Sequence, residues 1–205
     1  MRFLTARQAR TETGARALVA GVVAVVLSLS ATAASAETTT SSQWTAVADT
    51  FVRADMPTKS FGTSNYLYAD GSPVKRTYLR FTVTGAPDGP QHTVLRLRQA
   101  SSNLTEPFCD EIEECWHYVR VSARAVQGGW SESTTWETAP PVGDLLGTAP
   151  KQKVRGYHSL VDLDLGTFVN GDGTYEIALT SNTSTNYTFA SRERAGAAPL
   201  LVLLP

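Results

Sequence analysis

The sequence predicts an all-β protein built as an antiparallel β-sandwich. Short runs rich in Val, Thr, Tyr and Phe alternate with clusters of Gly, Pro, Asp and Asn, a spacing that is typical of strands joined by turns. Within many of these runs apolar and polar residues alternate, which indicates strands with one buried face. No window keeps apolar residues at helical spacing, so long helices are not expected.

The predicted strands run from Trp44 almost to the end of the chain. In order they are "WTAVADTFVRA", "YLYA", "KRTYLRFTV", "TVLRLRQA", "HYVRVSARAV", "SLVDLDL", "TYEIALTS", "YTFASRE" and "PLLVLL". Gly, Pro, Asp and Asn punctuate the connections between them, as in "DGSP" and "TGAPDGPQ". No internal repeat is visible, so these strands are expected to form a single domain.

The segment "NGDG" at 170–173 has two interpretations. Asn-Gly and Asp-Gly tolerate positive φ and are turn dipeptides, which favours a turn before the next strand. The alternating Asn and Asp oxygens also suggest a calcium loop, but no acidic residue follows at the spacing of an EF-hand's closing Glu. We therefore predict a turn and expect no cofactor, since a structural calcium ion has no further support in the sequence.

The first 36 residues are expected to be a cleaved signal peptide. Four arginines precede the apolar run 17–29 and form a positive n-region, and "ASA" precedes Glu37, a pattern typical of an export signal. The alternative is an uncleaved membrane anchor, but the run is short for the roughly 20 residues that span a bilayer. We expect a flexible polar lead-in at 37–45 and one domain at 46–205, in a secreted protein that is extracellular or cell-wall-associated and does not enter a membrane after cleavage.

The charge balance argues against one class of partner. The whole chain has 18 Lys and Arg against 19 Asp and Glu. Removing residues 1–36 takes away four arginines and one glutamate, which leaves 14 basic and 18 acidic residues and a net charge of −4. Nonspecific nucleic-acid binding needs a broad positive field, so nucleic acid is not an expected partner and any positive surface must be local.

Both cysteines, Cys109 and Cys115, lie in the short segment "CDEIEEC". An even number of cysteines in an exported protein favours a disulfide, here one that closes a tight loop. The alternative is a metal site, but His117 is the only nearby histidine and zinc usually takes four ligands. We predict the disulfide.

Arginines recur at outward positions of the predicted strands. In "RTYLRFTV", Arg80 alternates with the apolar residues, and the same pattern recurs in "TVLRLRQ" and "YVRVSARAV". Guanidinium groups pair bidentately with carboxylates, and tyrosine rings can lie against sugars. If these strands share a sheet, one outer face carries Tyr78, Arg80, Arg96, Arg98, Tyr118, Arg120 and Arg124, with Lys75 and Arg76 at its edge.

The same arginines also fit a purely structural interpretation. Exposed basic side chains pair with acidic neighbours across a sheet and discourage edge-to-edge pairing. In a sandwich whose consecutive strands lie in different sheets, they are scattered. Trp130 and Trp136 also have two interpretations. Either could stack on a sugar, but at least one is expected to be buried beneath the long loop. Arg192 is interpreted as a structural ion-pair residue, with Glu132 as its partner.

Two stretches are more specific than any propensity. "WSESTTWETAP" contains Trp130-Ser131-Glu132, and "FASRERAGAAPLLVL" contains Ser191-Arg192-Glu193 before a closing apolar strand. Together with "ADTFV" and "YLRF", these elements resemble the DNRLRE domain family, which overlaps carbohydrate-binding module family 96. The resemblance extends from about Ala46 to Leu204. It implies a sandwich of jelly-roll type, secreted or wall-associated, from a family in which some members bind acidic polysaccharides such as alginate.

The sequence therefore favours a noncatalytic, monomeric protein that binds an acidic, uronate-rich polysaccharide. The predicted site consists of Lys75, Arg76, Tyr78, Arg80, Arg96, Arg98, Tyr118, Arg120, Arg124 and Trp136. The alternative is a structural or adhesion protein of the cell envelope that binds protein. Catalysis is less favoured: Glu132 and Glu137 are the best carboxylate pair for a glycosidase, and Tyr157-His158 with Arg155 have the residue types of a lyase, but neither set comes with a catalytic motif.

Overall fold

The described residues form antiparallel strands. The computed structural model describes residues 41–101, 119–150 and 159–204, and no helix occurs in these ranges. The strands are β1 (Gln43–Arg53), β2 (Tyr66–Gly71), β3 (Val74–Val83), β4 (Pro90–Gln91), β5 (Thr93–Ser101), β6 (Val121–Val126), β7 (Val142–Thr148), β8 (Leu160–Asp164), β9 (Val169–Asn170), β10 (Gly173–Ser181), β11 (Tyr187–Ala190) and β12 (Leu200–Leu203). Within these ranges, no helix is long and apolar enough to span a bilayer.

The longer strands are arranged in two layers. The first sheet has the order β1-β3-β10-β6-β7. In the second sheet β5 is central, and β8 pairs with it along one edge. The first part of β5 also pairs with β12, and its last part pairs with β11. β12 and β11 in turn pair with β1 and β2 respectively. β4 and β9 form a separate two-stranded ribbon. The all-β antiparallel sandwich is thus confirmed, whereas the jelly-roll type stays a prediction.

Alternation along the strands produces the core between these layers. Leu79 and Phe81 of β3 face Leu95 and Leu97 of β5 across it, and all four side chains are fully buried. Apolar residues at every second position therefore bury one face of each sheet, as the sequence pattern predicts. Such burial contributes about 25 cal/mol for each Å² of apolar surface removed from water, and it is the main force that holds the two sheets together.

Two strands, β1 and β7, differ from the sequence-based expectation. β1 begins at Gln43, inside the segment predicted as a lead-in, because Trp44 packs against the core and its indole N–H donates to the Thr84 carbonyl at 3.2 Å. β7 falls between the predicted strands "HYVRVSARAV" and "SLVDLDL", where no strand was predicted. Its pairing with β6 is interrupted by register shifts, and its sequence "VGDLLGT" carries two glycines, so its strand signal is weak.

Candidate functional site

The predicted basic face is divided between the two sheets. Arg76 and Arg80 lie on β3 and Arg124 lies on β6, all in the first sheet. Arg96 and Arg98 lie on β5, in the second sheet. Arg120 immediately precedes β6 and is exposed, and Tyr118 lies outside the described residues. The condition that all the arginine-bearing strands share one sheet is therefore not met.

A long loop covers part of the outer face of the first sheet. We call residues 127–141 the tryptophan loop. Its Trp130 packs with Val52, Tyr78 and Ala178 in an apolar cluster on the side of the sheet that faces away from the main core. Tyr78 is fully buried, its hydroxyl donates to the Pro140 carbonyl at 2.9 Å, and burial raises its pKa. Tyr78 is therefore not an exposed ring on which a sugar could lie.

Arg80 fastens the tryptophan loop to the sheet. Its Nε donates to Glu176 on β10 at 2.7 Å, and its Nη2 donates to the Trp130 carbonyl at 2.7 Å. The guanidinium also lies 4.6 Å from the centroid of the Trp130 ring, which adds a cation–π contact. The Arg80 guanidinium is therefore engaged by Glu176 and Trp130 within the protein. Trp130 is 7% exposed, in agreement with the expectation that at least one loop tryptophan is buried.

Lys75 points away from the predicted face. It is 8% exposed, and its Nζ lies 2.8 Å from the Asn186 amide oxygen and 3.3 Å from the Asp70 carboxylate. Because consecutive strand residues point to opposite faces, Lys75 and Arg76 cannot both lie on the outer surface of β3. The charge of Lys75 is balanced internally by Asp70, which is also buried.

A groove crosses the outer face of the first sheet beside the tryptophan loop. It has a volume of about 310 Å³ and includes Arg76 from β3, Thr180 from β10, and Ser122 and Arg124 from β6 in its lining. The Arg76 guanidinium lies 4.8 Å from the centroid of the Trp136 ring, and Nη1 of Arg124 donates to the Gly143 carbonyl at 3.0 Å. Each cation is thus held by a neutral partner.

A second cavity adjoins this groove. It has a volume of about 410 Å³, shares Ser122 and Asn182 with the groove, and also includes Arg120 and Thr148 in its lining. Among the described residues, no aspartate or glutamate lines either cavity. We call the two together the cationic groove. Three of the predicted site residues, Arg76, Arg120 and Arg124, contribute cations to its lining, and Trp136 contacts the Arg76 guanidinium. Lys75 also borders the groove, but its ammonium group is held by Asp70 and Asn186.

The arginines of the second sheet have a different environment. Arg96, Arg98 and Arg192 line a cavity of about 380 Å³ on the opposite side of the sandwich. Arg96 makes a bidentate pair with Asp162 on β8, at 2.8 and 2.7 Å, and this pair raises the pKa of Arg96. The positive charge of Arg96 is therefore largely compensated, unlike the charges in the cationic groove.

The predicted ion pair between Arg192 and Glu132 is confirmed. Nε and Nη2 of Arg192 lie 2.8 and 2.6 Å from the same oxygen of Glu132, so the turn after β11 is tied to the tryptophan loop. Glu132, considered above as a glycosidase carboxylate, has this structural partner. The lyase candidates Arg155, Tyr157 and His158 lie outside the described residues, as do Cys109 and Cys115 with their predicted disulfide.

The 170–173 segment forms the predicted turn between β9 and β10. Gly171 has a φ of 84°, a left-handed conformation that glycine adopts without strain. Asp172 accepts a hydrogen bond from the Ala86 amide at 2.8 Å. In the described ranges, no group of three or more His, Cys, Asp or Glu side chains is arranged to hold a metal ion.

Sequence reasoning missed the polar floor of the groove. Ser122 occupies an outward position between Arg120 and Arg124, so the alternation of β6 could have identified it. Thr180 gave no such signal, because its position depends on the pairing of β10 with β6, in which Thr180 stands opposite Ser122. The two hydroxyl side chains of this cross-strand pair line the groove together with Arg76 and Arg124.

The comparisons with known proteins identify a family for this chain. No curated protein matched the chain. The family model of carbohydrate-binding module family 96 matches residues 40–204, which include all the described strands. The expected membership in that family is thereby confirmed, and modules of this kind are generally noncatalytic binding domains. The chain belongs to carbohydrate-binding module family 96.

Proposed function

We propose that this protein is exported and binds an acidic, uronate-rich polysaccharide in the cationic groove, without catalysing its cleavage. One observation carries the proposal. Arg76 and Arg124 both line the groove, and no aspartate or glutamate among the described residues lines it with them. A guanidinium group offers a rigid fork of donors that matches a carboxylate. Ser122 and Thr180 supply neutral hydrogen-bonding groups between them.

The proposal differs from the sequence-based one in which arginines it assigns to the ligand. Arg80 and Lys75 are engaged inside the fold, and Arg96 is paired with Asp162. Arg76, Arg120 and Arg124 remain as the cations that face a cavity on the first sheet. Binding is thus proposed for a groove that crosses the strands, in place of a continuous basic face.

The first experiment is a titration of the purified protein with alginate, pectate and a neutral glucan, each at low and at high salt. We expect binding to the two polyuronates only, and we expect high salt to weaken it because exposed charge pairs are screened. The double variant R76A/R124A is expected to bind at least tenfold more weakly, whereas the matched variant R96A/R98A on the opposite sheet keeps the affinity.

The alternatives make different predictions in the same titration. Loss of affinity in R96A/R98A but not in R76A/R124A moves the site to the second sheet. Salt-independent binding of the neutral glucan replaces the ionic mechanism with aromatic stacking. Absence of binding to all three polymers overturns the polysaccharide proposal and favours the structural or adhesion role.

A further inference from the structure

The two arginines of the cationic groove are held on opposite walls. The Arg76 guanidinium lies against Trp136, and the next residue, Glu137, donates its backbone N–H to the Pro57 carbonyl in the turn that follows β1. Arg76 is thus drawn towards the β1 side of the sheet. Arg124 donates to the Gly143 carbonyl of β7, at the other edge of the same sheet. The partners of the two guanidinium groups thus lie towards opposite edges of the sheet, with β10 between the two arginine-bearing strands.

The pairing of the strands sets the distance between these walls. Arg124 stands opposite Ala178, which stands opposite Tyr78, two residues beyond Arg76 on β3. Two strand spacings and a two-residue rise place the Cα atoms of Arg76 and Arg124 about 12 Å apart. Because one guanidinium is held by Trp136 and the other by the Gly143 carbonyl, the two charged groups have separate positions in the groove.

The floor between the walls is polar and neutral. Thr180 and Ser122 are partners across β10 and β6, and both line the groove together with Asn182. A ligand that reaches both walls must pass over these side chains. Its middle part therefore meets hydroxyl and amide groups, whereas its two ends meet cations.

We infer that the cationic groove binds a polyuronate across the strands and needs two carboxylates on separate sugars of one chain, one for Arg76 and one for Arg124. This inference rests on the proposed function and adds a minimal ligand length. A single uronic acid carries one carboxylate and can pair with one wall at a time. A short oligomer pairs with both, and its second contact forms at a high effective concentration because the first contact has already positioned the chain.

The test is a length series of uronate ligands, from the monosaccharide to the hexamer, measured by calorimetric titration with the wild-type protein. We expect the affinity to rise at least a hundredfold between the monosaccharide and the shortest oligomer that spans the walls, and then to level off. The wild-type series needs no variant, so it remains valid even where a substitution disturbs folding.

Two single variants identify the walls. R76A and R124A are each expected to lower the affinity for the spanning oligomer at least tenfold, while the affinity for the monosaccharide changes about twofold, as expected when one of two equivalent sites is lost. Thr45→Val, in the cavity on the opposite sheet, serves as the matched control and is expected to leave both affinities unchanged.

The failure of this inference is distinguishable from the failure of the proposed function. Polymer binding with equal affinity per sugar for monosaccharide and oligomer overturns the two-wall requirement and leaves the proposed function intact. If the polymer binds and only one of the two single variants weakens that binding, the two-wall requirement is also overturned and the proposed function stays intact. Absence of binding to every uronate in the series overturns both.

Discussion

At the scale of single residues, Asp49 is the least conventional group in the described chain. Its side chain lies on β1 but is 1% exposed, and one of its oxygens accepts the backbone N–H of Arg192 at 2.7 Å. Burial, with the neighbouring Glu193 carboxyl, raises the pKa of Asp49 to about 7, although the Arg192 amide acts in the opposite direction. Near neutral pH the folded protein therefore retains a proton that the unfolded chain has lost.

The raised pKa of Asp49 predicts a pH dependence of stability that is the reverse of the usual one for a carboxylate. Between about pH 4 and 7 the folded Asp49 site holds the proton and the unfolded chain does not, so raising the pH favours unfolding. The free energy of unfolding is expected to fall by up to about 1.4 kcal/mol per pH unit in this window. Chemical denaturation of wild type and Asp49→Asn at several pH values measures it, and the variant is expected to lose this slope.

A second aspartate provides the control for this measurement. Asp55 is exposed, and a hydrogen bond from Arg53 lowers its pKa. A lowered pKa contributes stability above the unfolded value that disappears as the pH falls, so Asp55→Asn is expected to lower the free energy of unfolding above about pH 4. It is expected to change the pH slope only below about pH 4, so its slope between pH 5 and 7 should match that of the wild type. An unchanged slope in Asp49→Asn between pH 5 and 7 would show that Asp49 is ionised in the folded state.

Arg80 is expected to contribute to the stability of the fold and not to polysaccharide binding. Its guanidinium joins Glu176, the Trp130 carbonyl and the Trp130 ring. Because hydrogen bonds to charged groups contribute about 1.5–3 kcal/mol, Arg80→Ala is expected to lower the free energy of unfolding by about 2 kcal/mol. Under conditions where it is folded, this variant is expected to bind polyuronate as the wild type does. A loss of affinity equal to that of R76A, at unchanged stability, would assign Arg80 to the ligand instead.

At the scale of elements, β7 approaches β8 through a glycine. A Cβ atom on Gly147 would collide with the Asp164 carbonyl oxygen at the end of β8. The obstacle is backbone, which cannot rotate away as a side chain can. β7 is therefore positioned at the edge of the first sheet by a close contact that only glycine permits, and its partner β6 carries Arg124 of the cationic groove.

We expect Gly147→Ala to destabilise the protein by about 1–3 kcal/mol, the cost typical of overpacking. The matched control is Gly129→Ala in the tryptophan loop, where an added Cβ meets no atom within 4 Å. Thermal unfolding of the two variants measures the difference. Equal melting temperatures would mean that β7 and β8 separate easily and that the contact does not hold the strand in place.

The same scale shows why the sequence predicted the strands better than the site. Alternation is a local signal, so the inward positions of Leu79 and Phe81 could be read directly from "YLRF". Whether an outward residue is exposed depends on what covers it, and Tyr78 is covered by Trp130 from a distant loop. The split of the arginines between two sheets likewise follows from long-range pairing, which alternation does not encode. Arg192 and Glu132 were predictable as partners because both stand in specific motifs.

At the scale of the folded domain, two strands belong to both sheets. In β1, Gln43–Thr45 pair with β12 of the second sheet, and the residues from Ala46 onwards pair with β3 of the first. In β2, the first four residues pair with β11 and the last two pair with β3. Separating the sheets therefore requires breaking backbone hydrogen bonds along continuous strands as well as exposing the apolar core.

This connection predicts that the tryptophan loop and the sheets unfold together. The loop is tied to the first sheet by Arg80 and to the turn after β11 by the Glu132–Arg192 pair. The measurement is urea unfolding followed by far-ultraviolet circular dichroism, which reports the strands, and by tryptophan fluorescence in a Trp116→Phe variant, which restricts the signal to the described tryptophans. The two midpoints are expected to coincide, as they do for a two-state domain. In Arg192→Ala both are expected to move to lower urea together, because the lost tie belongs to the same cooperative unit. A fluorescence transition that precedes the loss of circular dichroism would mean that the loop opens independently, and the Trp136 support of Arg76 would then be lost before the fold is.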